Sequence, residues 1–382
     1  MRTRPAPVAH PAAGDAGRRR APWADNLKVV LVSGVIVAHT TMAWTHVGNW
    51  VFEEPLVREP LLSVLTLVTA IVSLFGMPLF FLVAGYFTPK SLSRKGFGRF
   101  VGDRAVRLLV PMLAYVLLLS APIEFVDPEN AGWIGGFREF VPHVLWPPAP
   151  GPTWFLGVLF VFSVGYGVLR AAVPARAEPR SVPGFGRLVL LAVVVAVAAF
   201  PIMTVAPLGQ EVWRLAVAQS PAWLAGFALG VAARERGWLP LEPRLGRRIR
   251  WTAWSALAAG VGVFVLATAT GMDLRLLLGG GSWQSAVIAV IEGLLVVFAS
   301  LWVVDLFERR FDAQGPRGRA LSRAAYGAFL VHQGVLVALV LASHRLGWPP
   351  EVSYAAVTAL GVAVSFVLGH LLTRVPGIRK VV

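Results

Sequence analysis

His39 stands inside an unbroken apolar run, and eleven residues before it comes Lys28, in "DNLKVVLVSGVIVAH" (residues 25–39). On a helix, eleven residues make nearly three turns, so the two side chains share a face, about 20° apart in azimuth and about 16 Å apart along the axis. Asp25 falls roughly on the same face. An imidazole can accept or give a proton and an interfacial lysine can hold an anion. Ionisable groups are costly inside a lipid-spanning segment and mark either a functional site or a polar pairing between helices. Two other apolar runs carry comparable residues at similar depth: Glu292 in "AVIEGLLVVF" and His332 in "AAYGAFLVHQ". If the three helices adjoin, a carboxylate and two imidazoles form an acid/base cluster. If they do not, each group is a separate packing hydrogen bond. A third pattern is basic: Lys90, Arg94, Lys95, Arg99 and Arg104, followed by Arg107. Arg104 and Arg107, three apart at a helix start, share a face between which a phosphate-bearing ligand or an anionic lipid headgroup fits.

The elements that must position these residues follow from composition. The chain has 382 residues, of which 56% are hydrophobic and 14% charged, with a mean hydropathy of +0.68. That predicts an all-α polytopic membrane protein. Runs long enough to cross about 30 Å of hydrocarbon fall at 27–46, 62–87, 107–123, 153–172, 188–206, 214–233, 251–270, 283–304, 322–342 and 352–373. The expected architecture is therefore a bundle of about ten transmembrane helices. Pro201, Pro207 and Pro221 interrupt the fifth and sixth runs.

The net charge of +15 is a topology signal rather than a sign of nucleic-acid binding. Of the 35 Lys and Arg residues, all but Arg58, Arg138, Arg214, Arg275 and Arg345 fall on one side of this alternation, the side expected to be cytoplasmic. Both termini belong to that side of a cell membrane. Residues 1–24, rich in Pro, Ala, Gly and Arg, read as a disordered cytoplasmic tail rather than a cleaved signal. Residues 25–375 form the membrane domain, with a basic cytoplasmic loop over 88–106, and 376–382 a short cytoplasmic end. The absence of cysteine removes thiolate metal sites, disulfides and cysteine nucleophiles, and no metal is expected. Trp44, Trp154, Trp213, Trp251, Trp283 and Trp348 near span ends suit interfacial anchors. Gly226 and Gly230 in "GFALG" suit close helix packing. No internal repeat is visible.

Four stretches, in order, carry a family resemblance: "DNLKVVLVSGVIVAH", "MPLFFLVAGYFTPKSLSRKGFGRFVGDRAVRLLVP", "GPTWFLGVLFVF" and "AAYGAFLVHQ". Together they make the chain resemble the acyltransferase-3 family of integral membrane O-acyltransferases over nearly its whole length. The wording "FFLVAGYFTPKSLSRKG" looks most like the glucan-modifying succinyltransferase branch. The resemblance implies an essential histidine at His39, ten intervening residues after the basic position filled by Lys28, and an arginine pair at Arg104 and Arg107 before Pro111. Many members carry arginine where Lys28 stands, which keeps the charge without the bidentate fork. Ala84 and Ala325 stand where serines are common, and no extracytoplasmic catalytic module is expected after the last span. The implied activity moves an acyl group, of the acetyl or succinyl class, from cytoplasmic acyl-CoA to a hydroxyl of an extracytoplasmic glycan or related acceptor. Acyl-CoA is then a donor substrate rather than a resident cofactor, held through its phosphates by Lys28, Arg104 and Arg107. His39 serves as general base or as a transient acyl carrier, and Glu292 or His332 orients it or shuttles protons.

A competing reading is a multi-span transporter that uses the same midplane groups as a proton relay. A scaffold with buried polar groups is a third. A composition rich in Ala, Arg, Gly and Pro suits a GC-rich bacterial genome.

Overall fold

The computed structural model describes residues 21–48, 50–126, 136–146, 148–173 and 182–378, and among them every extended element is a helix. In chain order these are α1 (Pro22–Thr45), α2 (Leu61–Lys95), α3 (Phe97–Glu124), α4 (Gly136–Leu145), α5 (Trp154–Ala172), α6 (Phe185–Val205), α7 (Ser220–Glu235), α8 (Pro243–Ala269), α9 (Trp283–Arg310), α10 (Pro316–Leu346) and α11 (Pro350–Leu372). Among the described residues, 9 helices are long and apolar enough to cross a membrane: α1, α2, α3, α5, α6, α8, α9, α10 and α11.

The remaining expected span, 214–233, differs from its prediction. It begins only at Ser220, where Pro221 supplies a helix start, and as a 16-residue helix it covers about 24 Å. Residues 212–219 form a tight hairpin and a 3-10 turn instead. The short helix still runs in the direction that a ten-pass alternation requires. It lies parallel to α2 in constant register, with Gly226 against the carbonyl of Pro78, Gly230 against that of Leu82, and Gly85 against that of Phe227. A Cβ at these glycines would strike backbone, so the two helices approach as closely as the small-residue pattern anticipates.

Other helix directions agree. The start of α1 is tied to the α9–α10 junction through the Asn26 amide, which donates to the Phe311 carbonyl at 2.7 Å and the Ala313 carbonyl at 3.0 Å. The ends of α5 and α7 meet through Glu235, which accepts from the Tyr166 hydroxyl at 2.6 Å and from Arg170 at 2.5 Å. We call the end of the bundle holding Lys28, Arg104 and Arg107 the basic face.

The segment expected as a loop over 88–106 is helical except at Gly96. Its long side chains favour helix, and Asp103 neutralises part of its charge by pairing with Lys95 at 2.5 Å and Arg107 at 3.3 Å. π-helical turns at Ala105–Leu109 and Val116–Ser120 interrupt α3. Pro111 cannot donate to the Arg107 carbonyl four residues back, and the Tyr326 hydroxyl of α10 donates to that carbonyl at 2.5 Å.

Two large apolar cores divide the bundle. One gathers Ile36, Trp44, Trp50, Tyr115, Phe155, Trp223, Phe329 and Leu336 from α1, the segment after it, α3, α5, α7 and α10. The other centres on α9, with Leu295, Phe298 and Leu301 packed by Leu27, Leu82, Leu229 and Ile249. Two of the three midplane ionisable residues sit in the first half, and the third sits in the second.

Candidate active site

α1 and α10 run side by side, and at mid-height they bring His39 and His332 together. The Nδ1 of His39 lies 2.9 Å from the Nε2 of His332. The rings are nearly coplanar, 18° apart, with centroids 5.0 Å from each other, the spacing of two imidazoles bonded edge to edge. On the far side of His332, its Nδ1 lies 2.5 Å from the Phe329 carbonyl oxygen. A carbonyl only accepts, so His332 Nδ1 must carry a hydrogen, and in a neutral ring its Nε2 is then an acceptor. His39 therefore donates through Nδ1, which leaves the lone pair of the neutral ring on His39 Nε2. One carbonyl on α10 thus fixes the tautomers of two residues. His332 is wholly buried, while His39 keeps accessible surface. His332 is thus the inner ring of the pair and His39 the outer one.

Aromatic and polar side chains surround this pair. The Trp50 ring lies over His39 with centroids 5.7 Å apart and planes at 27°. Beside His332, Gln333 accepts a short hydrogen bond from the Tyr115 hydroxyl. The turn that opens α5 packs against that bond: Gly151 has φ of 45°, and a Cβ there would collide with the Tyr115 hydroxyl and the Gln333 amide oxygen. The next residues carry Trp154 against Trp223, with ring centroids 4.4 Å apart. The quoted stretch "GPTW" is therefore a wall of the site.

The basic face is joined to the histidine pair through α3 and α10. Tyr326 holds the Arg107 backbone and Tyr115 holds Gln333. These two bonds on α3 are eight residues apart, which sets Arg107 about 12 Å and Arg104 about 16 Å along the helix axis from the level of Gln333. Arg104 turns inward, donating to the Thr88 hydroxyl at 3.3 Å and lying 5.3 Å from the Phe100 ring centroid. Its Nε is buried without a partner, an open valence suited to an anion. Arg107 is the more exposed of the two and pairs with Asp103. Lys28 pairs with Asp25 at 3.3 Å, both partly exposed, as their shared face predicts. Its Nζ lies too far from His39 for contact at the axial separation of about 16 Å.

Glu292 departs from the expected cluster. It is wholly buried in α9, and neither carboxyl oxygen has a hydrogen-bond partner. Gln219 is the polar side chain that interacts with it, and that amide donates instead to the Ser73 carbonyl at 3.0 Å. The neighbouring Gly293 sits against the Ala192 carbonyl of α6, which turns this part of α9 to the α6 side of the bundle. Glu292 makes no bond to His39 or His332 and cannot be the group that orients either ring.

Several site residues escape a sequence reading. Gln333 is adjacent to His332 in the quoted motif, and its amide was the available signal. Tyr115 is a mid-span hydroxyl that calls for a partner. Trp50 lies beyond the first span, where nothing distinguishes it from an interfacial anchor.

Comparison with known proteins identifies the family. The acyltransferase domain model Acyl_transf_3 matches residues 21–370. Nodulation protein NolL of Sinorhizobium fredii (strain NBRC 101917 / NGR234) is 35% identical over 83 residues, which cover 22% of this chain and 21% of the relative. No solved structure matches. A family model that spans nearly every helix of a polytopic bundle shows that the chain belongs to the acyltransferase-3 family of membrane acyltransferases.

Proposed function

We propose that the protein moves an acetyl- or succinyl-class acyl group from acyl-CoA, bound at the basic face on the cytoplasmic side of a bacterial cell membrane, to a hydroxyl of an extracytoplasmic glycan or related acceptor. The observation that carries this reading is the chain from the Phe329 carbonyl through His332 to His39, which leaves a base at Nε2 of the accessible ring. The acceptor hydroxyl gives its proton to that nitrogen as its oxygen bonds to the thioester carbonyl carbon. The C–S bond then breaks, and the proton passes to the departing thiolate, so an ester and free CoA thiol result. The imidazolium formed on the way keeps its Nδ1–H on His332 Nε2, which stabilises it without a second charge nearby. Lys28, Arg104 and Arg107 would hold the CoA phosphates. The thioester then has about 12 to 16 Å of bundle to enter from the arginines.

The test uses labelled acetyl-CoA and succinyl-CoA with the full-length protein in proteoliposomes. His39→Ala should lower transfer by about 10²- to 10⁴-fold, the range of a lost general base, while the protein still inserts. Transfer retained by His39→Ala would refute the role.

A further inference from the structure

The face opposite the basic one carries a depression of about 670 Å³ lined by Gly48, Glu211, Trp213, Arg214 and Leu278, among others. It exists because α7 starts late. Its first turn is level with Ser73 of α2, to which Gln219 bonds, well below the start of α2 at Leu61, and the 206–219 segment fills the gap above it. The volume lies in the ordinary range for a small-molecule site, roughly 300–1,000 Å³.

Within this depression Trp213 is placed unusually. Val212 and Leu215 exchange two backbone hydrogen bonds, of 2.9 and 3.1 Å, so Trp213 and Arg214 are the two turn residues of a hairpin. Their φ angles are 55° and 62°, a conformation that such turns normally reserve for Asn and Gly. Strained backbone of this kind clusters at active sites and ligand clamps. The turn leaves Trp213 77% exposed while Arg214 reaches Glu124 at 3.6 Å, at the end of the helix that carries Tyr115. Glu211 is exposed and forms no ion pair among the described residues. Another lining residue is tied to the histidines: Gly48 is two residues from Trp50, a distance of at most about 7 Å along the chain, and Trp50 lies over His39.

We propose that this depression is the docking subsite for a carbohydrate acceptor, with the Trp213 ring as a platform for the apolar face of a sugar and Glu211 and Arg214 as its hydroxyl partners. An exposed indole beside one free carboxylate and one guanidinium matches a polyol that has both apolar faces and many hydroxyls. A membrane anchor needs neither the charged neighbours nor the strained turn, and the exposed Trp251 and Trp283 sit on ordinary helix surfaces. The assignment of the ligand as an acceptor rests on the acyl-transfer reading above, whereas the binding itself does not.

The experiment is equilibrium binding of cellotetraose and maltotetraose to the full-length protein in detergent, for wild type, Trp213→Ala, Trp213→Phe and His39→Ala. Wild type should bind at least one of the two, Trp213→Ala should weaken that binding about tenfold or more, and Trp213→Phe should restore part of it. Undiminished binding in Trp213→Ala, or no binding by wild type, overturns the subsite. If His39→Ala and wild type both bind but wild type transfers no acyl group, the catalytic reading fails and the subsite stands.

Discussion

His332 and Glu292 occupy similar depths on α10 and α9, and both are wholly buried. One is held at both ring nitrogens, by the Phe329 carbonyl and by His39. The other has two carboxyl oxygens without a hydrogen bond. Depth along a helix is written in the sequence, but azimuth relative to other helices is a property of packing. Because Gly293 beds α9 against α6, its neighbour Glu292 is carried away from the first core, while α10 runs parallel to α1 and delivers His332 to His39. A buried polar group inside a membrane bundle becomes chemical machinery only when its partners leave a defined valence open.

Substitutions can break or sharpen that contrast. The largest effect after His39→Ala itself is expected for His332→Ala. That change frees His39 to rotate and to adopt the wrong tautomer, and the acyl-transfer rate should fall by about 10²-fold or more. His332→Gln keeps an acceptor and should fall less. Equal rates for the two would show that orientation through Nε2 is not the role of His332. Arg104→Ala comes next: losing one charge-assisted hydrogen bond, worth about 1.5–3 kcal/mol, should raise KM for acyl-CoA by roughly 10- to 100-fold with kcat little changed. An unchanged KM would move the donor site away from Arg104. Gly230→Ala should act on folding alone, because a methyl forced into the Leu82 backbone costs about 1–3 kcal/mol, read as a lower thermal midpoint in detergent. The smallest effect is expected for Glu292→Gln, which preserves shape and should leave acyl transfer unchanged. A loss on the scale of His39→Ala would erase the contrast between the two halves of the bundle.

Much of the architecture is legible in the chain. Apolar runs and the bias of arginine placed ten crossings, and nine appear as long helices among the described residues. The tenth appears as the shorter α7 because Pro221 fixes its start, a boundary that hydropathy averaging blurs. The shared face of Asp25 and Lys28 follows from helical spacing, and the structure pairs them. The small-residue pattern of Gly226 and Gly230 correctly marks a close approach, though not that α2 is the partner. The His39–His332 bond was one of two outcomes the sequence left open. The exclusion of Glu292, the roles of Tyr115 and Gln333, and the hairpin that lifts Trp213 depend on which helices adjoin. No periodicity within a single segment encodes that.

The account depends on the hydrogen that His39 carries at Nδ1 and the lone pair it keeps at Nε2. Nitrogen-15 NMR of ring-labelled histidine in the full-length protein, assigned by comparison with His39→Ala, reads that tautomer directly. The expected spectrum has a protonated Nδ1 and an unprotonated Nε2 at His39, with the Nδ1 proton bonded to His332. A His39 ring protonated at Nε2 instead would contradict the account.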